Sequence, residues 1–207
     1  MEPVVVIDFE TTGLAPERGA RATEIAAVLV RDGEVVDRYQ SLMNAGVPVP
    51  PFIEALTGIT DAMVRAAPPA ARVMREVAAF VGDHPLVAHN ASFDRRFWDA
   101  ELAHVRLRRS RAQEFACTML VARRVWPDAP DHKLGTLARF AGLPPAGRAH
   151  RALADAEVAA GVLARLEQEL RRRYRVPKVT HALLRELQAA SGGPLETIFQ
   201  RLSGGRG

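Results

Sequence analysis

The sequence predicts an α/β fold: a mixed sheet, antiparallel over its first three strands and extended by parallel strands, with helices packed on it. Three observations predict it. Val4-Val5-Val6-Ile7 is a run of β-branched residues, the mark of a strand buried on both faces. Asp32-Gly33 separates two strand-like stretches and reads as a hairpin turn. From residue 70 onward apolar residues recur at helical spacing, interrupted by a short strand.

The elements follow in order. The first strand leads into Asp8-Phe9-Glu10 and then a turn at Thr11-Thr12-Gly13. A second strand spans about residues 22–31 and a third about 34–42, so the chain opens as a meander. Pro48, Pro50 and Pro51 break that pattern. A short helix over 52–56 is expected next, closed by Gly58, and Asp61 is placed to cap the turn that follows. Val73, Val77, Phe80 and Val81 put a helix at 70–81. Residues 85–88 form a short strand, and a helix capped by Ser92 runs to about 105. Residues 117–125 and 134–140 read as helices, stopped by Pro127 and by Gly142 with Pro144. A long helix from about 149 to 173 has apolar positions at Leu153, Val158, Val162, Leu163 and Leu166, and Pro177 ends it. Two units are expected: a domain over 1–173, and a basic helical extension over 174–207. Leu183, Leu184, Leu187, Leu195, Ile198 and Phe199 give that extension an apolar stripe. The last residues, 203–207, read as frayed.

Composition narrows the classes of function. The 207 residues are 48% hydrophobic and 25% charged, as in globular domains, which argues against intrinsic disorder. No apolar run approaches the ~20 residues that cross a bilayer. The opening residues carry no basic segment and no small-residue cleavage site, so no secretory signal is expected. Cys117 is the only cysteine, too few for an internal disulfide or a cysteine-rich zinc site, and a cytoplasmic setting is expected. Positive charge concentrates in the tail: residues 1–170 hold 20 basic and 22 acidic residues, residues 171–207 hold 8 and 2. The bias toward arginine (Lys133 and Lys178 are the only lysines) reads as genomic composition rather than as a nucleic-acid footprint. The tail is nonetheless expected to help hold nucleic acid.

Three places carry chemistry. In a strand, residues i and i+2 share a face, so Asp8 and Glu10 project together from the end of a buried strand. Two carboxylates held close repel strongly in a low dielectric unless a cation sits between them. Their oxygens suit Mg²⁺ or Mn²⁺. Solvated turn residues are the plain alternative. The second place is His89-Asn90-Ala91-Ser92-Phe93-Asp94, where Asp94 falls in the first turn of a helix. There it is either a ligand or only a charge favoured by the helix dipole. The third is His150 with Asp155. Five positions on a helix separate two residues by 500°, so the pair reaches one pocket only if His150 lies on the entering loop, which Gly147-Arg148-Ala149 favours. An exposed histidine and a solvated aspartate remain the alternative there. Four carboxylates and one titratable base form the inventory of two-metal phosphodiester hydrolysis.

Taken together, the motifs resemble those of the DEDDh 3′→5′ exonucleases, the group typified by the proofreading subunit of bacterial replicative DNA polymerase and by ribonuclease T. Val6-Ile7-Asp8-Phe9-Glu10-Thr11-Thr12-Gly13-Leu14 is similar to the first motif, His89-Asn90 through Phe93-Asp94 to the second, and His150 with Asp155 to the third. Leu56-Thr57-Gly58-Ile59-Thr60 is similar to the family's substrate loop. The resemblance covers about residues 3–168. Where the family often has Asp-Thr-Leu, this chain has Cys117-Thr118-Met119, a position that is not a metal ligand.

The resemblance implies a ribonuclease H-like fold and two divalent cations, Mg²⁺ or Mn²⁺, roughly 3.5–4 Å apart. Asp8 would anchor both, Glu10 would ligate one and touch the terminal 3′-hydroxyl, and Asp94 and Asp155 would complete the set. His150 would be the general base, its ordinary pKa of about 6.5 suiting that role. Thr11, Thr12, Gly13, Leu14, Thr57, Ile59, His89, Asn90 and Phe93 would hold the last nucleotides, the apolar members stacking on bases with little base specificity. The implied substrate is a single-stranded or frayed 3′ end, DNA before RNA, in repair or proofreading. A DNA polymerase partner or a homodimer is implied as well, and no membrane. The alternative is a catalytically silent nuclease-fold subunit that serves polymerase or helicase assembly.

Overall fold

A computed structural model describes residues 1–144, 151–190, 195, 198 and 199. Five strands form one sheet: β1 (Val4–Thr11), β2 (Ala22–Arg31), β3 (Glu34–Leu42), β4 (Leu86–Ala88) and β5 (Phe115–Cys117), in the order β3-β2-β1-β4-β5. β1, β2 and β3 are antiparallel, while β4 pairs parallel with β1 and β5 parallel with β4. This is the mixed sheet that the sequence predicts. The hairpin is where it is expected, with Asp32 at φ 52° and Gly33 at φ 83°, both in the left-handed region that a tight β2–β3 turn needs.

β1 is buried on both faces, and its alternation assigns the layers. Val4 and Val6 join one core with Ala26, Val28 and Val87, under α5 (Thr118–Val125), α6 (Leu134–Phe140), α7 (Ala152–Tyr174) and α8 (His181–Ala189). Val5 and Ile7 join the opposite core with Ile25, Ala27 and Leu86, under α3 (Ala70–Val81) and α4 (Ala91–His104). A smaller cluster of Val49, Ile53, Ile59 and Val64 holds α1 (Pro51–Thr57) against α2 (Asp61–Ala66).

The structure corrects four local expectations. β1 continues through Thr11 instead of turning there, with a register irregularity against β2 between Glu10 and Thr11. The stretch opening at Cys117 is not all helix: Phe115–Cys117 is a strand, and α5 starts at Thr118. Three buried residues are too few to show a strand's alternation in sequence. α2 is capped by Thr60, whose hydroxyl accepts from the Met63 N–H at 3.1 Å, and Asp61 is its first residue. α4 begins at Ala91, with Asn90 at the cap position in a left-handed conformation; Ser92 lies inside the helix and its hydroxyl donates to Asn90 Oδ1 at 3.4 Å. The expected start of α7 at 149, and the frayed end at 203–207, lie outside the described residues.

α8 closes the sheet's edge. β5 is an edge strand, and such a strand leaves backbone donors and acceptors unpaired. The Gln188 side chain fills that role: its Oε1 accepts from the Cys117 N–H at 2.6 Å and its Nε2 donates to the Phe115 carbonyl at 3.2 Å. Buried His181 adds a bond between Nε2 and the Leu86 carbonyl at 2.9 Å. Val179, Leu184 and Leu187 lie in the same core as α7. Leu187→Ala should therefore cost about 2–5 kcal/mol, with unfolding still one cooperative transition in urea. A separate, low-stability transition for the C-terminal segment would contradict this packing.

Candidate active site

Strand lengths open the site. β1 pairs with β4 only at Val5↔Leu86 and Val6↔Val87, because β4 ends at Ala88. Beyond that point the β4-facing edge of β1 has no strand beside it. Such a crevice, beyond the carboxyl ends of parallel strands where the order switches, is where open α/β sheets bind ligands. The Val5 N–H still bonds to the Pro85 carbonyl at 2.9 Å, but the Phe9 N–H, further along that edge, bonds to Asp94 Oδ1 at 3.2 Å. The α4 carboxylate thus replaces the missing strand.

Asp8 and Glu10 lie on the α7-facing side of β1, the side of Val4 and Val6. α7 brings Asp155 to them from its first turn. One oxygen from each of Asp8, Glu10 and Asp155 lies within 4.8 Å of the others. Asp94, 2% exposed, is not in that trio, and its Oδ1 accepts from Phe9. It still stands close enough to Asp8 to act on its charge.

The electrostatics are unfavourable as they stand. Burial pushes the Asp8 carboxyl well above its ordinary range, and Asp94, Glu10, Asp155 and Glu24 push it further. Burial, then Asp155 and Glu24, raise Glu10 to about 8, against a smaller lowering by Arg151. Asp94 also rises to about 8, because burial outweighs the Phe9 hydrogen bond. An all-oxygen donor set of hard, converging carboxylates fits Mg²⁺ or Mn²⁺. A cation seated among them would offset the repulsion and reverse these shifts.

Sequence reasoning missed Glu24. On β2 it stands directly opposite Glu10 and is 1% exposed. Arg151 grips it as a fork, Nε to Oε2 at 3.1 Å and Nη2 to Oε1 at 2.9 Å. The Gln40 amide donates to it at 2.7 Å, and the Ala152 N–H, the first of α7, at 3.1 Å. These bonds outweigh burial, so Glu24 sits below its ordinary pKa and stays charged. It therefore fixes the start of α7, three residues before Asp155. A carboxylate just before the apolar run from Ile25 to Val28 was the available signal, since a buried charge is almost never unpaired.

The remaining expected residues divide. Thr11 donates from Oγ1 to the Gly13 carbonyl at 2.7 Å, and Thr12 Oγ1 accepts from the Arg21 N–H at 3.0 Å, so both shape the turn beside the site. Leu14 is 79% exposed and offers an apolar face. Phe93 packs against Phe97 with ring centroids 4.9 Å apart. Thr57 and Ile59 are both buried. Ile59 is fully buried in the α1–α2 cluster. Thr57 is buried too, donating to the Ile53 carbonyl at 2.9 Å and accepting from the Ile59 N–H at 3.0 Å. His89 is a strut: Nδ1 bonds to Thr118 Oγ1 at 2.9 Å and Nε2 to the His132 carbonyl at 3.0 Å. Nε2 must donate to that carbonyl, so Nδ1 accepts; burial takes the imidazole down to about 4 and keeps it neutral. His150 lies outside the described residues.

With this geometry established, comparison with known proteins identifies the class. Residues 5–163 match the sequence profile of the exonuclease family. The chain is 34% identical to the DNA polymerase III subunit epsilon of Aquifex aeolicus over 170 residues, 82% of this chain and 83% of that protein. It belongs to the exonuclease family. It is also 35% identical to the PolC-type DNA polymerase III of Bacillus cereus over 169 residues, 82% of this chain but only 12% of that polymerase. Among solved structures it is similar to exonuclease X in complex with 5′ overhanging duplex DNA, with 30% identity, a TM-score of 0.70, and coverage of 90% of this chain and 99% of that one.

The charges make two outcomes measurable. The raised carboxyls hold protons in the folded state that the unfolded chain releases near its ordinary pKa of about 4. Their penalty therefore grows as pH rises toward about 8, the value for Glu10 and Asp94. Metal-free protein should melt lower at pH 8.5 than at 6.5. Asp8→Asn should raise the pH 8.5 melting temperature, and equal melting temperatures for the two proteins would remove the repulsion argument. Glu24→Gln should destabilise by about 2–3 kcal/mol, below the range for a fully buried pair because the Arg151 side chain is 33% exposed. It should also weaken Mn²⁺ binding in calorimetric titration more than a core variant of equal stability does.

Proposed function

We propose that the protein is a 3′→5′ exonuclease that hydrolyses phosphodiester bonds at the 3′ ends of nucleic acid. The observation that carries this is the convergence of Asp8, Glu10 and Asp155 within 4.8 Å, beside buried Asp94, in a crevice at the end of the sheet. Family membership supports it.

Asp8, Glu10, Asp94 and Asp155 are the residues that would hold two divalent cations, Mg²⁺ or Mn²⁺. Bound there, the cations supply a polarised phosphate and a water whose proton is easily lost. The chain supplies the rest. Asp8 is assigned the shared anchor of the two cations. Glu10 is assigned one cation and the contact to the terminal 3′-hydroxyl. Thr11, Thr12 and Gly13 shape the turn that would receive the last nucleotide, with Leu14 and Phe93 as its apolar contacts and Asn90 at the start of α4. Thr57 and Ile59 support their loop from within, and His89 braces the β4–α4 junction. His150, the residue before the Glu24-bound Arg151, is assigned the general base that takes the water's proton.

DNA is favoured over RNA, as the similar proteins of 30% identity or more include DNA polymerase III chains and an exonuclease in complex with duplex DNA. Repair or proofreading is the corresponding role, with a polymerase as the natural partner and a homodimer as the other assembly. The catalytic unit is assigned to residues 1–173, with 174–207 as a basic helical extension docked through α8. Among the described residues no helix is long and apolar enough to cross a membrane, and we assign the protein to the cytoplasm.

The test is digestion of 5′-labelled single- and double-stranded DNA and RNA with Mg²⁺ or Mn²⁺. A ladder shortening from the 3′ end is expected, stopped by chelator and restored by metal. Asp8→Ala should lower the rate by about a thousandfold or more, as losing several kcal/mol of metal-borne stabilisation requires, while remaining folded. No digestion of any substrate with either metal would refute the proposal.

A further inference from the structure

A cleft of about 1150 Å³ adjoins the carboxylates, with Asp155 and Asn90 among its lining residues. That exceeds the ~300–1,000 Å³ common for small-molecule sites. Its walls are α5, the turn before α6, α6 itself, the first turns of α7 and the β4–α4 junction. Met119, Leu134 and Leu143 give it apolar surface, and Arg123, Lys133 and Arg139 line it with exposed cationic side chains.

These three cations differ from the arginines that are held in ion pairs. Arg21, Arg38, Arg96, Arg109 and Arg151 sit in ion pairs, and so do Arg171, Arg172 and Arg185 of the basic C-terminal region. Arg123, Lys133 and Arg139 form no ion pair within 4.0 Å among the described residues. Arg123 reaches the Met119 sulfur at 3.9 Å and Arg139 the Thr136 hydroxyl at 3.3 Å. Asp131 is the opposing charge. Its carboxylate accepts from the Lys133 N–H at 2.8 Å and acts electrostatically on Lys133 and Arg139. Asp155 also lines the cleft and is committed to the carboxylate cluster. His89 is locked between Thr118 and the His132 carbonyl, and His132 Nε2 bonds to the Trp126 carbonyl at 3.2 Å. Away from the carboxylate cluster the balance is an excess of positive charge over apolar surface, which complements a polyanion with flat apolar bases.

We propose that this cleft is the track along which a single nucleic-acid strand reaches the carboxylates, with Arg123, Lys133 and Arg139 on its phosphates. The proposal rests on the exonuclease reading of that site, and it places strand-holding charge on the α5–α6 side rather than on the ion-paired end of α7.

The test compares wild type with Arg123→Ala/Lys133→Ala/Arg139→Ala on 5′-labelled oligothymidylates of two, four and eight nucleotides over a salt series. The loss in kcat/KM should grow with length. On the octamer the log–log salt slope should become shallower by about 2, as losing three single-strand phosphate contacts requires. Arg123→Lys/Arg139→Lys should keep the wild-type slope. A uniform loss at every length, or an unchanged slope, would overturn the track. Octamer binding, read by fluorescence anisotropy in an Asp8→Asn background, probes the same phosphate contacts without turnover: the triple change should flatten the slope there too, and an unaltered slope would overturn it. Wild type that degrades no oligomer while this binding effect persists would instead remove the exonuclease reading.

Discussion

Mutual repulsion among buried carboxylates is the constraint on which the rest of the structure depends. Asp8, Glu10 and Asp155 converge, Asp94 lies beside them, and Glu24 stands one strand away on the same face. Five acids in so small a volume would drive the elements apart were each not managed. Asp94 is tied to the Phe9 backbone and Glu24 to Arg151. Asp8, Glu10 and Asp155 are the set that cations would neutralise. The sheet's two cores supply the stiffness that holds this arrangement, since β1 is packed from both sides up to the residue before Asp8. Fold and site are thus coupled through one strand: the alternation that buries Val4 and Val6 is the alternation that aims Asp8 and Glu10.

Glu24 and Asp155 show how position is transmitted. Opposite Glu10 across the β1–β2 pair, Glu24 draws Arg151 and the Ala152 N–H onto the sheet. The first turn of α7 is then set relative to β1 by hydrogen bonds, not only by apolar packing further along the helix. Arg38 on β3 adds a more exposed pair with Glu157 on the same turn-and-a-half of helix. An error of about 1 Å in this seating would separate Asp155 from its partners, which is why a charged and costly buried group is retained where an apolar one would pack.

Much of this was legible in the sequence. β1, the β2–β3 hairpin, α3 and α7 carry strong periodic or turn signals, and the two carboxylates at i and i+2 declared their shared face. Elements with little periodicity were not legible. β5 is three residues long and shows no alternation, so it merged with α5. The cap of α4 was assigned to Ser92 because serine caps commonly, whereas Asn90 takes the left-handed conformation there. The packing of Ile59 with Val49, Ile53 and Val64 was not legible either, because sequence does not show which apolar side chains a local cluster gathers. Glu24 went unread for a related reason: its role exists only once β2 is paired to β1 and α7 is laid across them. The apolar stripe of α8 was visible, but its use in covering the edge of β5 follows from topology alone.

The central claim is that the acids at the end of β1 form a seat for divalent cations. Anomalous diffraction from crystals soaked in Mn²⁺ tests it most directly. The account predicts anomalous peaks bounded by Asp8, Glu10 and Asp155, with Asp94 adjoining. A map with no peak among these side chains, in crystals that show Mn²⁺ elsewhere, would contradict it.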